Sequence, residues 1–205
     1  MNINTFIFDL GGVIIDLDEQ ATIQSFSKLS KIPEQDILDI VSNSQLFQDY
    51  EKGLASDDVF RKGVNQAFGT TLSDVQIDTC WNAMLKTITI DRLNLLLSLK
   101  AKYKVIVLSN TNSIHIKAFN KILEKVSGKD SLTFFAHHVF FSHKLNMRKP
   151  DEEIYREILR LSASNPTESL FMDDKLENLQ GARKTGIQTM QINSPDEIFE
   201  LKRYV

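Results

Sequence analysis

The chain has 205 residues, enough to bury a substantial core either as one large domain or as a core carrying a smaller insertion. Hydrophobic residues make up 42% and charged residues 25%, which excludes a disordered or fibrous chain. The formal net charge is −3, with no basic excess to neutralise a nucleic-acid backbone, so any phosphate the protein takes is expected to be small and locally held.

In chain order, Thr5-Phe-Ile-Phe-Asp9 is an apolar run rich in aromatic and β-branched residues. It ends at a carboxylate followed by Gly11-Gly12, the pattern of a buried parallel strand that delivers a charge to the sheet edge. The wider run Phe6 to Ile15 contains Asp9 and two glycines, too short and too polar for a signal peptide or a membrane span. A cytoplasmic protein without membrane contact is expected. From Asp16 to about Thr89 no comparable strand occurs, and helices are expected at 19–31, 34–43, 46–52, 56–68 and 73–86. Pro33, Gly53 and Gly69 act as breaks, and Ser56 and Ser73 as N-caps. Cys80, the only cysteine, excludes an intrachain disulfide and reads as a half-buried small hydrophobe on the last of these helices. Phe26, Phe47, Tyr50, Phe60, Phe68 and Trp81 suit the core of this block, with Phe47 or Tyr50 as candidates to line a ligand-binding face.

Strand patterns return at Lys104 to Asn110, Val139 to Ser142, Ser169 to Asp173 and Ile187 to Ile192. A helix opens at Pro150 with acids in its first turn, and another runs from Asn178 to Lys184 before Gly186, a left-handed terminator. Alternating strands and helices predict an α/β fold, a doubly wound Rossmann-like parallel sheet. The core would be 1–15 and 90–205, and the helical insertion 16–89 would sit above the strand ends and close over a ligand.

The polar residues that end the strands are the candidates for chemistry. Asp9 and the pair Asp173-Asp174 would repel one another on one sheet edge unless a divalent cation neutralised them, and hard oxygen ligands suit Mg²⁺. Taken singly, Asp173 and Asp174 also fit a helix cap and Asp9 a turn. His137, His138 and His143 match no zinc spacing, and strand alternation puts the first two on opposite faces.

The strings Phe-Ile-Phe-Asp9-Leu-Gly-Gly-Val, Val-Leu-Ser109-Asn-Thr-Asn, Met-Arg-Lys149-Pro and Phe-Met-Asp173-Asp174, with Asn178 and Gly181-Ala182 downstream, span nearly the whole chain. Their order resembles the four motifs of the haloacid dehalogenase superfamily. Within it, the chain is most similar to bacterial phosphatases with a helical cap, notably those like α-D-glucose-1-phosphate phosphatase. The resemblance implies a Mg²⁺-dependent phosphatase of small metabolites such as sugar phosphates, with Asp9 as the nucleophile that becomes an aspartyl phosphate. It further implies that Ser109 and the Asn110 backbone hold phosphoryl oxygens and that Lys149 offsets the converging negative charge. The magnesium shell would take Asp9, the Gly11 carbonyl and Asp174, with Asp173 bound directly or through water, and Asn178 and Thr111 would hydrogen-bond these groups.

One departure stands out. Most phosphatases of that superfamily carry a second Asp two residues after the nucleophile, where this chain has Gly11. General acid–base assistance is worth ~10²–10⁴-fold, so its loss favours leaving oxygens that are already weak bases, such as an anomeric oxygen. Asp16, Asp18, Glu19 and His115 are candidates to replace it, although helix-capping and helix-surface roles compete. Carbon–halogen hydrolysis, phosphonate cleavage and binding without turnover are the alternative readings. No heptad seam or long apolar stripe appears, so a monomer is expected.

Overall fold

A computed structural model describes residues 3–205. Five parallel strands form one sheet: β1 (Thr5–Phe8), β2 (Lys104–Ser109), β3 (His138–Phe141), β4 (Ser169–Asp173) and β5 (Gln188–Gln191), in the order β3-β2-β1-β4-β5. β1 is central because it is apolar on both faces, and all four of its residues are buried. Phe8 pairs in register with Val107 of β2 on one side and with Met172 of β4 on the other. Strand order thus diverges on the two sides of β1, and a crevice opens at the carboxyl ends of β1, β2 and β4.

Alternation along the strands builds two cores. Phe6, Phe8, Val105, Val107 and Met172 face one layer with Phe119 and Leu123, whereas Ile7, Ile106, Leu108 and Phe171 face the other with Ile154, Ile158 and Leu179. The first layer includes α6 (Ile90–Lys100) and α7 (Ser113–Ser127); the second has α9 (Glu152–Leu161) and α10 (Leu176–Arg183), with the short α8 (Ser142–Leu145) after β3. Gly186 has the expected left-handed backbone, with φ of +88°. Ser142 opens α8 and does not close β3 as the sequence suggested, and the expected strand at 187–192 is shorter by one residue at each end. No helix among the described residues is long and apolar enough to cross a membrane.

Between β1 and α6 lie five helices: α1 (Glu19–Ser30), α2 (Glu34–Asn43), α3 (Gln45–Glu51), α4 (Asp57–Phe68) and α5 (Asp74–Asn82). The Ser56 hydroxyl accepts from Val59 N, and Ser73 forms a reciprocal capping box with Gln76, as their positions predict. Phe26, Phe47, Tyr50, Phe60, Phe68 and Trp81 all enter one cluster, and each fully buried phenyl ring stabilises it by about 2 kcal/mol. Cys80 belongs to the same cluster at 3% exposure, more deeply set than the half-buried expectation.

Helix α5 ends four residues before the expected 86. The chain there must return to the sheet, and it does so as an extended segment antiparallel to the one that leaves β1. Asp18 N donates to Met84 O at 3.0 Å, Lys86 N to Asp16 O at 3.0 Å and Asp16 N to Thr87 O at 2.9 Å. The buried Arg92 guanidinium ties this double crossing to the core, 2.8 Å from Asp16 and 2.8 Å from Asp196. A second attachment lies at the end of α3, where the Ser142 hydroxyl donates to Glu51 O at 2.6 Å and Asn146 Nδ2 to Lys52 O at 2.9 Å. Gly53, with φ of +70°, lies so close to the His143 carbonyl that no side chain fits there.

Candidate active site

The register places Asp9 one residue beyond β1, Ser109 at the end of β2 and Asp173 at the end of β4, side by side on the carboxyl edge. The loop before α9 brings in Lys149, held in place by Asn110. Asn110 Nδ2 donates to Lys149 O and Lys149 N to Asn110 Oδ1, each at 2.9 Å. Asp9, Ser109, Asn110, Lys149 and Asp174, drawn from positions more than 160 apart in sequence, therefore line one cavity of about 150 Å³ together with Gly11, whereas Asp173 is fully buried and does not line it.

Asp9 is buried, and its Oδ1 accepts from Leu10 N at 2.6 Å and lies 2.8 Å from Lys149 Nζ. Burial pushes its carboxyl up to about 7; the Asp173 charge adds to the rise and Lys149 opposes it. Lys149 is only 1% exposed, yet its ammonium is held above the usual lysine range, because Asp9 and Asp173 outweigh the cost of burying it. Asp173 is saturated. Its Oδ2 lies 2.6 Å from Lys149 Nζ and accepts from Asn178 Nδ2 at 3.0 Å, and its Oδ1 accepts from Lys175 N at 2.8 Å and from Asn178 Nδ2 at 2.9 Å.

Asp174 differs from its neighbour. Its Oδ1 is buried without a hydrogen-bond partner, a costly state for a carboxylate oxygen, and burial together with the Asp173 charge raises its pKa. Gly12 permits this approach, since its φ is +71° and a Cβ there would lie 2.7 Å from Asp174 Oδ2. One carboxylate oxygen from each of Asp9, Asp173 and Asp174 falls within 4.8 Å of the others, and among the described residues no other such group is found. Three converging carboxylates, those of Asp9 and Asp174 with raised pKa and the latter with an orphaned oxygen, fit a hard divalent cation. The histidines gather no such site: His137 Nδ1 accepts from Val105 N, His138 stacks on Phe140, and His143 Nδ1 bonds the Thr111 carbonyl. Thr111 acts through its backbone, its N donating to the Ser142 hydroxyl at 2.9 Å.

The helical block contributes Leu17, Glu19, Glu51, Trp81 and Leu85 to the cavity. Phe47 and Tyr50 do not reach it. They are consumed by packing on Phe60, which Tyr50 stacks at 4.0 Å between centroids, and Trp81 forms the aromatic wall instead. The candidates for a replacement acid are all otherwise occupied. Asp16 pairs with Arg92, Asp18 caps α1 through Ala21 N, and Glu19 pairs with Lys175 at 3.0 Å. His115 lines the cavity and stacks on Trp81, and burial pulls its pKa down to about 4. Its Nε2 lies 3.0 Å from Trp81 O and its Nδ1 3.3 Å from Asn112 Nδ2, so a neutral ring with the proton on Nε2 satisfies both. Glu51, which the sequence did not single out, is paired with Arg148 at 3.0 Å on the cavity wall. Arg148 stands inside the Met-Arg-Lys-Pro string, but no local pattern marks Glu51.

The model of the haloacid dehalogenase-like hydrolase family matches residues 3–186. Over 189 residues the chain is 30% identical to D-ribitol-5-phosphate phosphatase of Bacteroides thetaiotaomicron, covering 92% of this chain and 91% of that protein. Among solved structures, a HAD family enzyme of the same organism superposes with a TM-score of 0.91 at 33% identity, covering 99% and 100% of the two chains. That enzyme in complex with magnesium and inorganic phosphate gives 0.85 at 34% identity over 93% and 94%. L-2-haloacid dehalogenase of Xanthobacter autotrophicus, at 20% identity and a TM-score of 0.61 over 92% and 77%, shares the fold. With a family model that spans most of its length and a relative matched nearly end to end, the chain belongs to the haloacid dehalogenase-like hydrolases.

Proposed function

We propose that the protein is a Mg²⁺-dependent phosphatase of small phosphorylated metabolites, sugar or sugar-alcohol phosphates, working through an aspartyl phosphate on Asp9. The observation that carries this reading is a buried carboxylate, Asp9, held 2.8 Å from an ammonium and grouped within 4.8 Å with oxygens of Asp173 and Asp174, the latter an acid whose Oδ1 has no partner. Asp9, Asp174 and the Gly11 carbonyl would hold the cation, with Asp173 at its margin because Lys149, Asn178 and the Lys175 amide already engage both its oxygens. When bound, Mg²⁺ supplies positive charge to a site where several anions meet.

Asp9 Oδ1 is occupied by Leu10 N and Lys149, which leaves Oδ2 to attack phosphorus as the bond to the leaving oxygen breaks. Ser109 and the Asn110 backbone receive phosphoryl oxygens, and Lys149 neutralises charge as nucleophile and phosphate approach. Water then hydrolyses the acyl phosphate, releasing inorganic phosphate and the Asp9 carboxylate. The block 16–89 acts as the cap, excluding bulk water from the reaction and limiting substrate size. A cavity of about 150 Å³ suits a short carbon chain better than a nucleotide. The ribitol-5-phosphate activity named for the Bacteroides relative supports a sugar-alcohol phosphate. The absence of a carboxylate at Gly11 favours an anomeric phosphate such as glucose 1-phosphate.

The test is a screen of phosphorylated sugars, sugar alcohols, nucleotides and cofactors with and without Mg²⁺. Magnesium-dependent phosphate release is expected from the wild type and none from Asp9→Asn. Full activity in that variant rules out Asp9 as the nucleophile, and tight phosphate-ester binding with no turnover across the panel favours a binding protein.

A further inference from the structure

Outside the phosphate pocket, the cavity rim carries two cations, Arg148 and Lys175, and three carboxylates, Glu19, Glu51 and Glu177. Each cation is already matched across the gap between the helical block and the sheet: Arg148 Nη2 lies 3.0 Å from Glu51 Oε2, and Lys175 Nζ 3.0 Å from Glu19 Oε1. The deep cation, Lys149, is shared between Asp9 and Asp173. Among the described residues lining the cavity, no cation is left for a second anionic group of the substrate, and the rim carries one carboxylate in excess.

We infer that these two cross-gap pairs make the site selective for an uncharged, polyhydroxylated leaving group and reject phosphate esters that bear a second anion; this rests on the phosphatase reading above. A carboxylate or second phosphate entering the rim would have to displace Glu51 or Glu19 from its partner and lie beside the freed acid, a like-charge contact in a partly desolvated setting. A hydroxyl faces no such penalty. It can donate to a paired carboxylate and accept from a paired cation without separating them. Trp81, which lines the cavity, offers apolar contact for the carbon chain.

Ribitol 5-phosphate and ribonate 5-phosphate provide the test, because they differ only in a terminal CH₂OH against a carboxylate. With Mg²⁺, the wild type should favour the ribitol ester by at least about tenfold in kcat/KM. Glu51→Gln keeps the side-chain shape and the backbone contact to Ser142, and should narrow that ratio by about tenfold, chiefly by lowering KM for the ribonate ester. This is the size expected for one unit charge acting over several ångströms at a dielectric between those of protein and water. Glu19→Gln should act in the same direction by less, since its pair is half exposed, and it serves where Glu51→Gln fails to fold. Equal use of both esters by the wild type, or an equal loss on both in Glu51→Gln, overturns the inference and leaves Glu51 a cap-holding residue. If the wild type hydrolyses neither ester, the wider panel above still judges the phosphatase reading on its own. The ligand-induced rise in Tm with the same two esters then decides: a greater rise with ribitol 5-phosphate sustains the selectivity, and an equal or greater rise with ribonate 5-phosphate removes it.

Discussion

Leu17 fills the space into which a side chain at Gly11 would project: a Cβ built there would overlap Leu17 Cδ1 and lie 3.3 Å from its Cγ. Leu17 is held by its bridge to Leu85 in the double crossing between the helical block and the core. The missing acid is thus matched by apolar packing, and restoring it requires room as well as a carboxylate.

Gly11→Asp alone should therefore cost stability, about 1–3 kcal/mol for an overfilled site, with little gain in rate. Combined with Leu17→Ala it should raise kcat on alkyl phosphates, whose leaving oxygens need a proton, by at least about tenfold, and raise it less on aryl phosphates. Steady-state kinetics on the two ester classes read this directly. An equal gain on both would mean that the added carboxylate is not acting as an acid.

Lys149 offsets two buried carboxylates at contact distance. Lys149→Met should abolish turnover and lower stability in EDTA by about 3–5 kcal/mol, because Asp9 and Asp173 are left facing each other without a counter-charge. Part of that loss should return with millimolar Mg²⁺. Denaturant melts of wild type and variant with and without the metal provide the measurement, and a variant as stable as wild type in EDTA would count against the charge-balance argument.

The neighbours Asp173 and Asp174 should respond to substitution in opposite ways. Asp174→Ala removes an orphaned buried oxygen, so metal-free stability should hold or rise while Mg²⁺ affinity falls sharply. Asp173→Ala strips partners from Lys149, Asn178 and the Lys175 amide, so the fold itself should be destabilised by several kcal/mol, about 3–5 by analogy with other broken buried pairs. Calorimetric Mg²⁺ titration alongside thermal melts separates the two. Matching behaviour of the two variants would show that the division of labour drawn from their hydrogen bonds is mistaken.

The strands and the acids at their ends were legible because burial on both faces of a parallel sheet imposes an unmistakable local composition. Thr5–Phe8 and Ser169–Asp173 can hardly be anything else. The helical block was legible to its caps, but not at its exit: nothing local stops α5 at Asn82, and the stop comes from pairing with Asp16–Asp18 across the chain. Rim chemistry was hidden for the same reason. Glu51 reaches the cavity only because Ser142, Asn146 and the bare backbone of Gly53 dock the end of α3 on the turn after β3. Likewise Trp81, one aromatic among six that suit the core of the helical block, faces the cavity because α5 packs beside α7 and stacks it on His115.

Metal-free stability should carry the signature of the buried acids. The Asp9 carboxyl is raised from 3.8 to about 7, so between those values the folded protein keeps a proton that the unfolded chain has released, and its contribution to stability is lost as pH rises through that window. Asp174, also raised, acts in the same direction, whereas Lys149, held above its usual range, is charged in both states there. The four histidines oppose the trend. All are lowered, His115 to about 4, so they add stability as pH rises toward 6.5 and mask the slope of any single curve. Their effect cancels in the difference between Tm in saturating Mg²⁺ and Tm in EDTA. That gap should widen from pH 5 to pH 7.5, because the cation binds the ionised carboxylates whose exposure to one another the metal-free fold must otherwise bear. In EDTA, Asp9→Asn should likewise gain Tm relative to wild type as pH rises over the same range, since the amide has no proton to lose. A gap that stays constant, together with parallel curves for wild type and variant, would mean that Asp9 ionises near its ordinary value and that burial is not what holds its proton.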